Sequence, residues 1–438
     1  MTEAAAAASR GALEQTWNAI EAGARTVLVD SPPGAGKSTL VREISCRYAR
    51  HEQVPLVVQT NDQADDMIRG FLRDKDLGAL QIGRLHANDY VPPPDIIDRP
   101  GVTISPSIDD LRRCNIVVAP AAKWAWINRD RAWSFGIVDE AYQMRSDALL
   151  SVGTMMARLL LVGDPGQLAP FTSADDTRFR GRALSPIETA AATILTTQPD
   201  TQRIALPVSW RLPHHAASII SDAFYQTPFT SGTDRGSRHF ALGRGSNRCG
   251  ASVRSAADTG WAYVELDDAI MPPNDREVID TLVQIVRELL AAHITIHDER
   301  GARPLRPNDI AIGVTHRDQR DSVRAATAPI LQGLGLAPDS VSIDTANVLQ
   351  GREFEIVLVW HPLSGRRDAS AFHLDAGRLC VLLSRHRQAC IVVSRGGIRE
   401  QLSMHPCTDP VWLGERAPVT DGWRAHLTIL DHLDAHRV

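Results

Sequence analysis

Lysine is almost absent from this chain, and the few lysines are far apart. They occur only at Lys37, Lys75 and Lys123, so arginine supplies most of the 47 basic residues. No apolar run approaches the length of a membrane-spanning helix. Residues 1–10 are rich in alanine but lack the basic stretch and apolar core of a secretory signal. We therefore expect a cytoplasmic protein that has no membrane partner.

The cysteines are scattered and form no CxxC pair, which argues against a structural zinc site and against a disulfide framework. They lie at positions 46, 114, 249, 380, 390 and 407. The formal net charge of −5 argues against a chain drawn to nucleic acid by its overall field. Any surface that binds nucleic acid must therefore be local.

The strongest motif is a glycine loop between a predicted strand and a predicted helix. Residues 26–29 form an apolar run, residues 31–38 read SPPGAGKS, and apolar residues then recur at helical spacing up to Tyr48. Gly34 and Gly36 allow backbone N–H groups to turn towards a phosphate. Lys37 can reach the β- and γ-phosphates, and Ser38 can ligate Mg²⁺. The alternative is an ordinary Gly/Pro turn.

Further predicted strands also end in polar side chains. Residues 55–59 are followed by Thr60 and Asn61, residues 135–138 by Asp139 and Glu140, and the strand before Gly163 by a loop that contains Gln167. Strands separated by helices predict a doubly wound parallel sheet, whose site lies at the carboxyl ends of the strands. We expect Asp139, Glu140 and Gln167 to gather there with Lys37.

The chain is long enough for two or three domains. We predict a first α/β domain over residues 1–200 with a small insertion at about 70–112. A second α/β domain follows over 201–400, with a mobile insertion at about 229–259, rich in Gly, Ser and Arg. That insertion either holds nucleic acid through its arginines (235, 238, 244, 248 and 254) or is a solvated loop. Residues 401–438 are predicted to pack as a terminal helix.

Together the motifs, from Gln15 to Arg385, resemble those of superfamily 1 helicases, in the branch of the nonsense-mediated-decay and DNA-replication helicases. The resemblance implies two tandem RecA-like parallel-sheet domains, with the ATP site in the cleft between them. It implies ATP and Mg²⁺ as cofactors and single-stranded DNA or RNA as the partner. A monomer is expected, and a nuclease or loading function would come from a partner protein.

In the first half, the resemblance assigns roles residue by residue. Gln15 would read the adenine, although its sequence pattern alone favours a solvated helix residue. QTNDQA at 59–64 would place Thr60 and Asn61 on the nucleic-acid backbone. In DEAYQ at 139–143, Asp139 would ligate Mg²⁺ and Glu140 would act as the base that aligns the attacking water. In GDPGQLAP at 163–170, Gln167 would sense the γ-phosphate. The loop residues expected to contact the nucleotide are Gly34, Ala35, Gly36, Lys37, Ser38 and Thr39.

In the second half, SWRLP at 209–213 resembles the motif that supplies one arginine to the γ-phosphate, here Arg211. In DTANVLQGREFEIVLV at 344–359, Thr345 would contact the nucleic-acid strand, whereas Gly351 and Glu353 would contact the nucleotide. GRLCVLLSRHR at 377–387 would make Arg385 the second arginine finger. Singly, each motif also has a structural explanation, such as a solvated strand end, a surface ion pair or a turn.

The departures from the family pattern bear on unwinding more than on ATP chemistry. Ser31 replaces a glycine, Pro120 stands where relatives carry threonine, and Ser384 and His386 replace Thr and Ala. The insertions that relatives use as wedges are short or absent. ATP hydrolysis with translocation is therefore favoured over processive unwinding. An ATP-gated clamp that does not translocate and a small-molecule kinase with a phosphate loop are the alternatives.

Overall fold

Two compact α/β units make up the chain. The computed structural model describes residues 2–74, 77–127, 132–170, 179, 185–243, 249–404 and 421–438. The first unit consists of Ala7–Pro165 and Ala169–Leu206, and the second of Met1–Ala6, Gly166–Leu168 and Pro207–Val438. Each unit contains a large, wholly parallel sheet. The predicted fold class is confirmed.

The first unit alternates strands and helices around an eight-stranded sheet, in the order β4-β3-β5-β2-β6-β7-β1-β8. Its elements are α1 (Glu3–Glu21), β1 (Thr26–Asp30), α2 (Lys37–Tyr48), β2 (Val54–Val58), α3 (Asn61–Arg73), β3 (Ile82–Leu85), β4 (Val102–Ser105), β5 (Ile116–Pro120), α4 (Ala121–Trp124), β6 (Gly136–Asp139), α5 (Ser146–Gly153), β7 (Leu159–Gly163), α6 (Ala190–Thr197) and β8 (Gln202–Ala205).

The central strands are buried on both faces, which is why they read as continuous apolar runs in the sequence. All residues of β1, β2, β5, β6 and β7 are buried. Their side chains fill two apolar clusters, one on each side of the sheet. Because every pairing is parallel, the loops at the carboxyl ends of β1, β2 and β6 lie at one edge of the sheet.

The segment 70–112, interpreted from the sequence as a small insertion, adds two strands to the main sheet. Ile82 in β3 pairs in parallel register with Ile116 in β5, and with Val102 in β4. The segment thus extends the sheet at one edge. The apolar pattern of each strand gives no information on its partner, because β3 and β5 are far apart in the sequence.

The second unit is built on a five-stranded sheet, in the order β12-β18-β17-β15-β16. Its elements are β9 (Val208–Ser209), α7 (His214–Phe224), β10 (Thr230–Ser231), β11 (His239–Ala241), α8 (Ala251–Thr259), β12 (Trp261–Leu266), α9 (Arg276–Ala291), β13 (Thr295–Asp298), β14 (Gly301–Pro304), β15 (Ile310–Val314), α10 (Arg317–Gly333), β16 (Ser342–Thr345), α11 (Ala346–Leu349), β17 (Phe354–Trp360), α12 (Ala371–Leu374), α13 (Ala376–Leu383), β18 (His386–Arg395), α14 (Ile398–Met404) and α15 (Gly422–Asp434).

The segment 229–259 carries regular structure in its described part. β11 pairs antiparallel with β13, and α8 buries Val253 and Ala256 in the core of the unit. Arg238, one of the arginines considered for nucleic acid, is buried and pairs with Glu299 at 2.7 Å, so it is not available on the surface. Arg244 and Arg248 lie outside the described residues.

Where it is described, the terminal segment packs against other helices of the second unit. α15 buries Ile429 and Leu433 in the cluster that also contains residues of α7 and α13. The described cysteines at 46, 114, 249, 380 and 390 are all buried, and none of these five forms a disulfide. In the portion of the chain that the structure covers, no helix combines the length and apolarity needed to cross a bilayer.

Candidate nucleotide site

The phosphate loop has the backbone that its glycines predict. Gly34 and Gly36 adopt positive φ values of 71° and 89°, which residues with a Cβ rarely adopt. Gly36 is the N-cap of α2, so Lys37 is the first residue of that helix. The loop therefore directs backbone N–H groups and the positive end of the helix dipole towards one point, a geometry suited to a phosphate.

Lys37 is held between the two carboxylates of the acidic motif. Its Nζ lies 2.7 Å from Asp139 Oδ1 and 2.9 Å from Glu140 Oε1. Burial by itself would lower the pKa of Lys37, but the two carboxylates outweigh burial and raise it. The ammonium is thus charged at neutral pH, and Lys37, Asp139 and Glu140 meet at one edge of the sheet as predicted.

Glu140 has an unusual backbone for a residue with a side chain. Its φ is 58°, in the left-handed region, and its amide donates to Asp139 Oδ1 at 2.9 Å. Such a conformation costs on the order of 1–3 kcal/mol and persists only where the surroundings impose it. Glu140 Oε2 is buried and has no hydrogen-bond partner. A buried oxygen of this kind is suited to a water molecule brought in with a ligand.

The residues expected to hold Mg²⁺ and the nucleotide fit that role in their chemistry. Among the described residues, no group of three or more His, Cys, Asp or Glu is arranged to hold a metal. A magnesium ion that shares a triphosphate needs only one or two protein ligands. The exposed Ser38 hydroxyl and the Asp139 carboxylate can supply them. Thr39 and Gln15 are also exposed, whereas Ala35 is buried in the loop.

The two residues expected on nucleic acid begin α3, immediately after β2. Thr60 is the N-cap of this helix, and its side chain accepts from the Gln63 amide in a capping box. Asn61 Oδ1 accepts from Arg84 Nη2 at 2.9 Å. Gln59, just before them, donates from Nε2 to the carbonyl of Asp139 at 3.1 Å. This bond joins the Thr60 segment directly to the acidic motif.

In the second unit, Arg211 and Glu353 are brought together. Arg211 Nη2 lies 3.4 Å from Glu353 Oε1, and Arg211 Nε is buried without a hydrogen-bond partner. Glu353 is half exposed, and its other oxygen lies 3.9 Å from Arg387 Nη1. Sequence comparison by motif did not single out Arg387. Gly351, two residues before Glu353, is exposed and turns the chain with a φ of 83°.

Arg385 and Thr345 are both buried in the second unit. The Arg385 guanidinium donates to the Val381 carbonyl at 3.1 Å and to the Ser384 hydroxyl at 2.8 Å. Thr345 is the N-cap of α11, and its amide donates to Asp344 Oδ1 at 2.9 Å. The nucleic-acid role of Thr345 and the finger role of Arg385 stay predictions.

Gln167 belongs with the second unit, although the residues on both sides of its loop belong to the first. Gln350 Nε2 donates to Gln167 Oε1 at 2.7 Å. Gly377 lies so close to this loop that a Cβ there would be 2.6 Å from the Gln167 carbonyl oxygen. The third and fifth motifs are thus joined by a side-chain hydrogen bond. The role of Gln167 as a γ-phosphate sensor stays a prediction.

A parallel sheet with a phosphate loop after β1, and an acidic pair after β6 that holds the loop's lysine, define a P-loop NTPase with RecA-like units. Residues 189–396, just under half of the chain, match a protein-family model described as "AAA domain". This segment is therefore similar to the members of that family. A search of curated proteins found no match.

Solved structures similar to the chain include two of arterivirus nonstructural protein 10 (helicase) and one of the PRRSV helicase. The arterivirus protein alone has 15% identity and a TM-score of 0.45, with 88% of this chain and 61% of that chain covered. Its complex with DNA has 15% identity, a TM-score of 0.44, and coverage of 88% and 62%. The PRRSV helicase has 14% identity, a TM-score of 0.43, and coverage of 90% and 56%. This chain spans about three fifths of the length of these proteins.

Proposed function

We propose that this protein is an ATP-dependent nucleic-acid translocase of the helicase type, which hydrolyses ATP to move along single-stranded DNA or RNA. The observation that carries the proposal is the placement of Lys37 between Asp139 and Glu140, at the end of a phosphate loop. The match of residues 189–396 to a family model described as "AAA domain" supports the same proposal.

The residues of the first unit would act by positioning and by neutralising charge. Lys37 exchanges its two carboxylate partners for the β- and γ-phosphates when a triphosphate enters. Glu140 is then released to orient the attacking water and to take up its proton. Ser38 and Asp139 would hold Mg²⁺, which when bound neutralises charge on the phosphates.

The hydrogen bond from Gln59 to Asp139 offers a route from the nucleotide to the nucleic acid. Gln59 precedes Thr60 and Asn61, and its side chain bonds to the acidic motif. A displacement of the Asp139 backbone during the ATP cycle would therefore reach the start of α3. We propose that Thr60 and Asn61, with Thr345 in the second unit, contact the strand.

We propose that Arg211 and Arg385 supply positive charge to the transition state and that Gly351 and Glu353 contact the nucleotide. Arginine fingers contribute on the order of 10³–10⁵ in rate. The buried Nε of Arg211, which has no hydrogen-bond partner, supports this role for Arg211, because a bound phosphate would satisfy it.

The test is ATP turnover with and without single-stranded polymers, such as oligo(dT) and oligo(U) of equal length. We expect at least one polymer to raise turnover several-fold, and Lys37→Ala to abolish it. Slow hydrolysis that neither polymer changes would contradict translocation and would favour the alternative, an ATP-gated clamp that does not translocate. Absence of hydrolysis in the wild-type protein would overturn the proposal.

A further inference from the structure

Asp30, the last residue of β1, connects three parts of the first unit through its buried carboxylate. Asp30 is 5% exposed. The Tyr142 hydroxyl donates to Oδ1 at 2.6 Å, and Arg203 Nε donates to Oδ2 at 2.6 Å. Asp30 directly precedes the phosphate loop, Tyr142 lies two residues after Glu140, and Arg203 is in β8. The motifs did not single out any of the three.

The backbone around Asp30 is tied to the same elements. The Leu206 amide donates to the Asp30 carbonyl at 2.8 Å, and the Ser31 amide donates to the Gly163 carbonyl at 2.8 Å. Leu206 is the last residue of the first unit before the chain enters the second. The start of the phosphate loop is therefore bound to the carboxyl ends of both neighbouring strands, β7 and β8.

Tyr142 reaches Asp30 by passing over the end of β7. The sheet order β6-β7-β1 places β7 between the strand that leads to Tyr142 and the strand that ends at Asp30. Gly163, at the end of β7, lies directly beneath this path. A Cβ on Gly163 would be 3.0 Å from Tyr142 Cδ2 and 3.0 Å from the Ala141 amide nitrogen. The absence of a side chain at position 163 thus allows the crossing.

We propose that Asp30, Tyr142 and Arg203 form a clasp that fixes Glu140 relative to Lys37, with Tyr142 and Arg203 as positioning residues for hydrolysis. Tyr142 follows Glu140 so closely that its anchorage restrains the left-handed Glu140 backbone. Asp30 adjoins the loop that carries Lys37. The inference rests on the proposed ATP hydrolysis, because Glu140 acts there on water.

The chemistry of the clasp explains why it would be rigid. Burial raises the pKa of Asp30, while the Tyr142 hydroxyl and the Arg203 guanidinium oppose that rise. Burial and the neighbouring Asp30 carboxylate raise the pKa of Tyr142, so its hydroxyl stays a donor. A buried carboxylate that loses one of its two donors retains its desolvation cost, so each bond resists opening.

The first test is Tyr142→Phe, which keeps the ring and removes the hydroxyl. We expect kcat for ATP to fall about tenfold, equivalent to about 1.4 kcal/mol of barrier, with KM within about twofold. The matched control is Tyr48→Phe. Tyr48 has the same 7% exposure, and its hydroxyl likewise donates to a carboxylate, that of Glu52, at the far end of α2, where it also accepts from Arg158. It should lose stability without losing kcat.

Two further measurements separate a positioning role from a structural one. In the background of Asp30→Ala, Tyr142→Phe should change kcat by less than twofold, because its partner is already absent. Amide hydrogen exchange of residues 34–39 and 140–142 should be faster in Tyr142→Phe than in Tyr48→Phe. This exchange measurement does not require ATPase activity, so it tests the clasp even if the proposed function fails or Asp30→Ala does not fold. Equal exchange in the two tyrosine variants, or additive losses of kcat, would overturn the clasp.

Discussion

At the scale of single residues, Arg385 combines a proposed catalytic role with complete burial. Its guanidinium donates to the Val381 carbonyl and the Ser384 hydroxyl within the second unit. An arginine that neutralises a transferring phosphate has to direct N–H groups to that phosphate. Catalysis by Arg385 therefore requires that N–H groups of this buried guanidinium become accessible to the nucleotide.

Arg385→Gln tests this directly. We expect ATP turnover to fall on the order of 10³-fold or more, while ATP affinity measured by titration stays within a few-fold. The glutamine can still donate to the Val381 carbonyl, so the loss of thermal stability should be small. A variant that keeps wild-type turnover would show that Arg385 is structural. Arg387, which lies 3.9 Å from Glu353, would then be the next arginine to test.

Residue types and spacing were sufficient to predict the meeting of Lys37, Asp139 and Glu140, because each follows a strand of one parallel sheet. They were not sufficient to predict the backbone conformation of Glu140 or the hydrogen-bond partners of Asp30. The left-handed φ of Glu140 depends on packing around it. Asp30 reads in the sequence only as a polar strand end, and its bond to Arg203 spans 173 positions of sequence. Neither property has a local signal.

At the scale of elements, Thr60 at the start of α3 combines a helix cap with a proposed contact to nucleic acid. Thr60 caps the helix through its side-chain oxygen, which accepts from the Gln63 amide at 3.2 Å. Gln63 Oε1 in turn accepts from the amides of Gln59 and Thr60. Thr60 is also exposed, as its proposed contact with nucleic acid requires. Stability and nucleic-acid affinity can therefore be separated by the choice of substitution.

Thr60→Ala should lower the free energy of unfolding by about 1 kcal/mol, because the cap is lost. Thr60→Asn should keep stability near wild type, since asparagine caps well. If Thr60 contacts the strand through its hydroxyl, both variants should bind single-stranded oligonucleotide more weakly. Chemical denaturation and fluorescence anisotropy measure the two effects. Weakened binding in Thr60→Ala alone would indicate that only the cap matters.

Sequence patterns predicted the central elements well because those strands are buried on both faces. β1, β2 and β6 were expected within one or two residues of their observed bounds. α8 was missed because a short helix with only two buried anchors, Val253 and Ala256, resembles its Gly- and Ser-rich surroundings. Its stability comes from packing on the second unit, which periodicity over nine residues cannot reveal.

At the scale of the whole molecule, buried histidines make the second unit sensitive to acid. His361, His386 and His426 are almost fully buried. Burial lowers the pKa of His386 to about 3 and that of His426 to about 4, and it lowers the pKa of His361 well below its usual value. These imidazoles are neutral in the folded protein. In the unfolded chain they take up protons below a pKa of about 6.5.

Because the unfolded state binds more protons below about pH 6.5, stability is fully present above that pH and is lost as the pH falls towards 4. Each buried histidine should cost about 1.4 kcal/mol per pH unit in that window. Urea unfolding at pH 7.5, 6.0 and 5.0 measures the loss. His426→Gln should show a shallower decline. An unfolding midpoint that is equal at pH 7.5 and 5.0 would contradict the prediction.

The segment Gly166–Leu168 limits how the two units can be separated. Leu168 is a buried member of an apolar core of the second unit, whereas the chain before and after this segment belongs to the first. No single cut between residues 1 and 438 therefore yields two complete units. A gene fragment that starts at Pro207 encodes a unit without one of its own core side chains. Genetic exchange at that boundary would transfer the second unit without Leu168. Recombination would therefore keep that core complete only when both units are exchanged together.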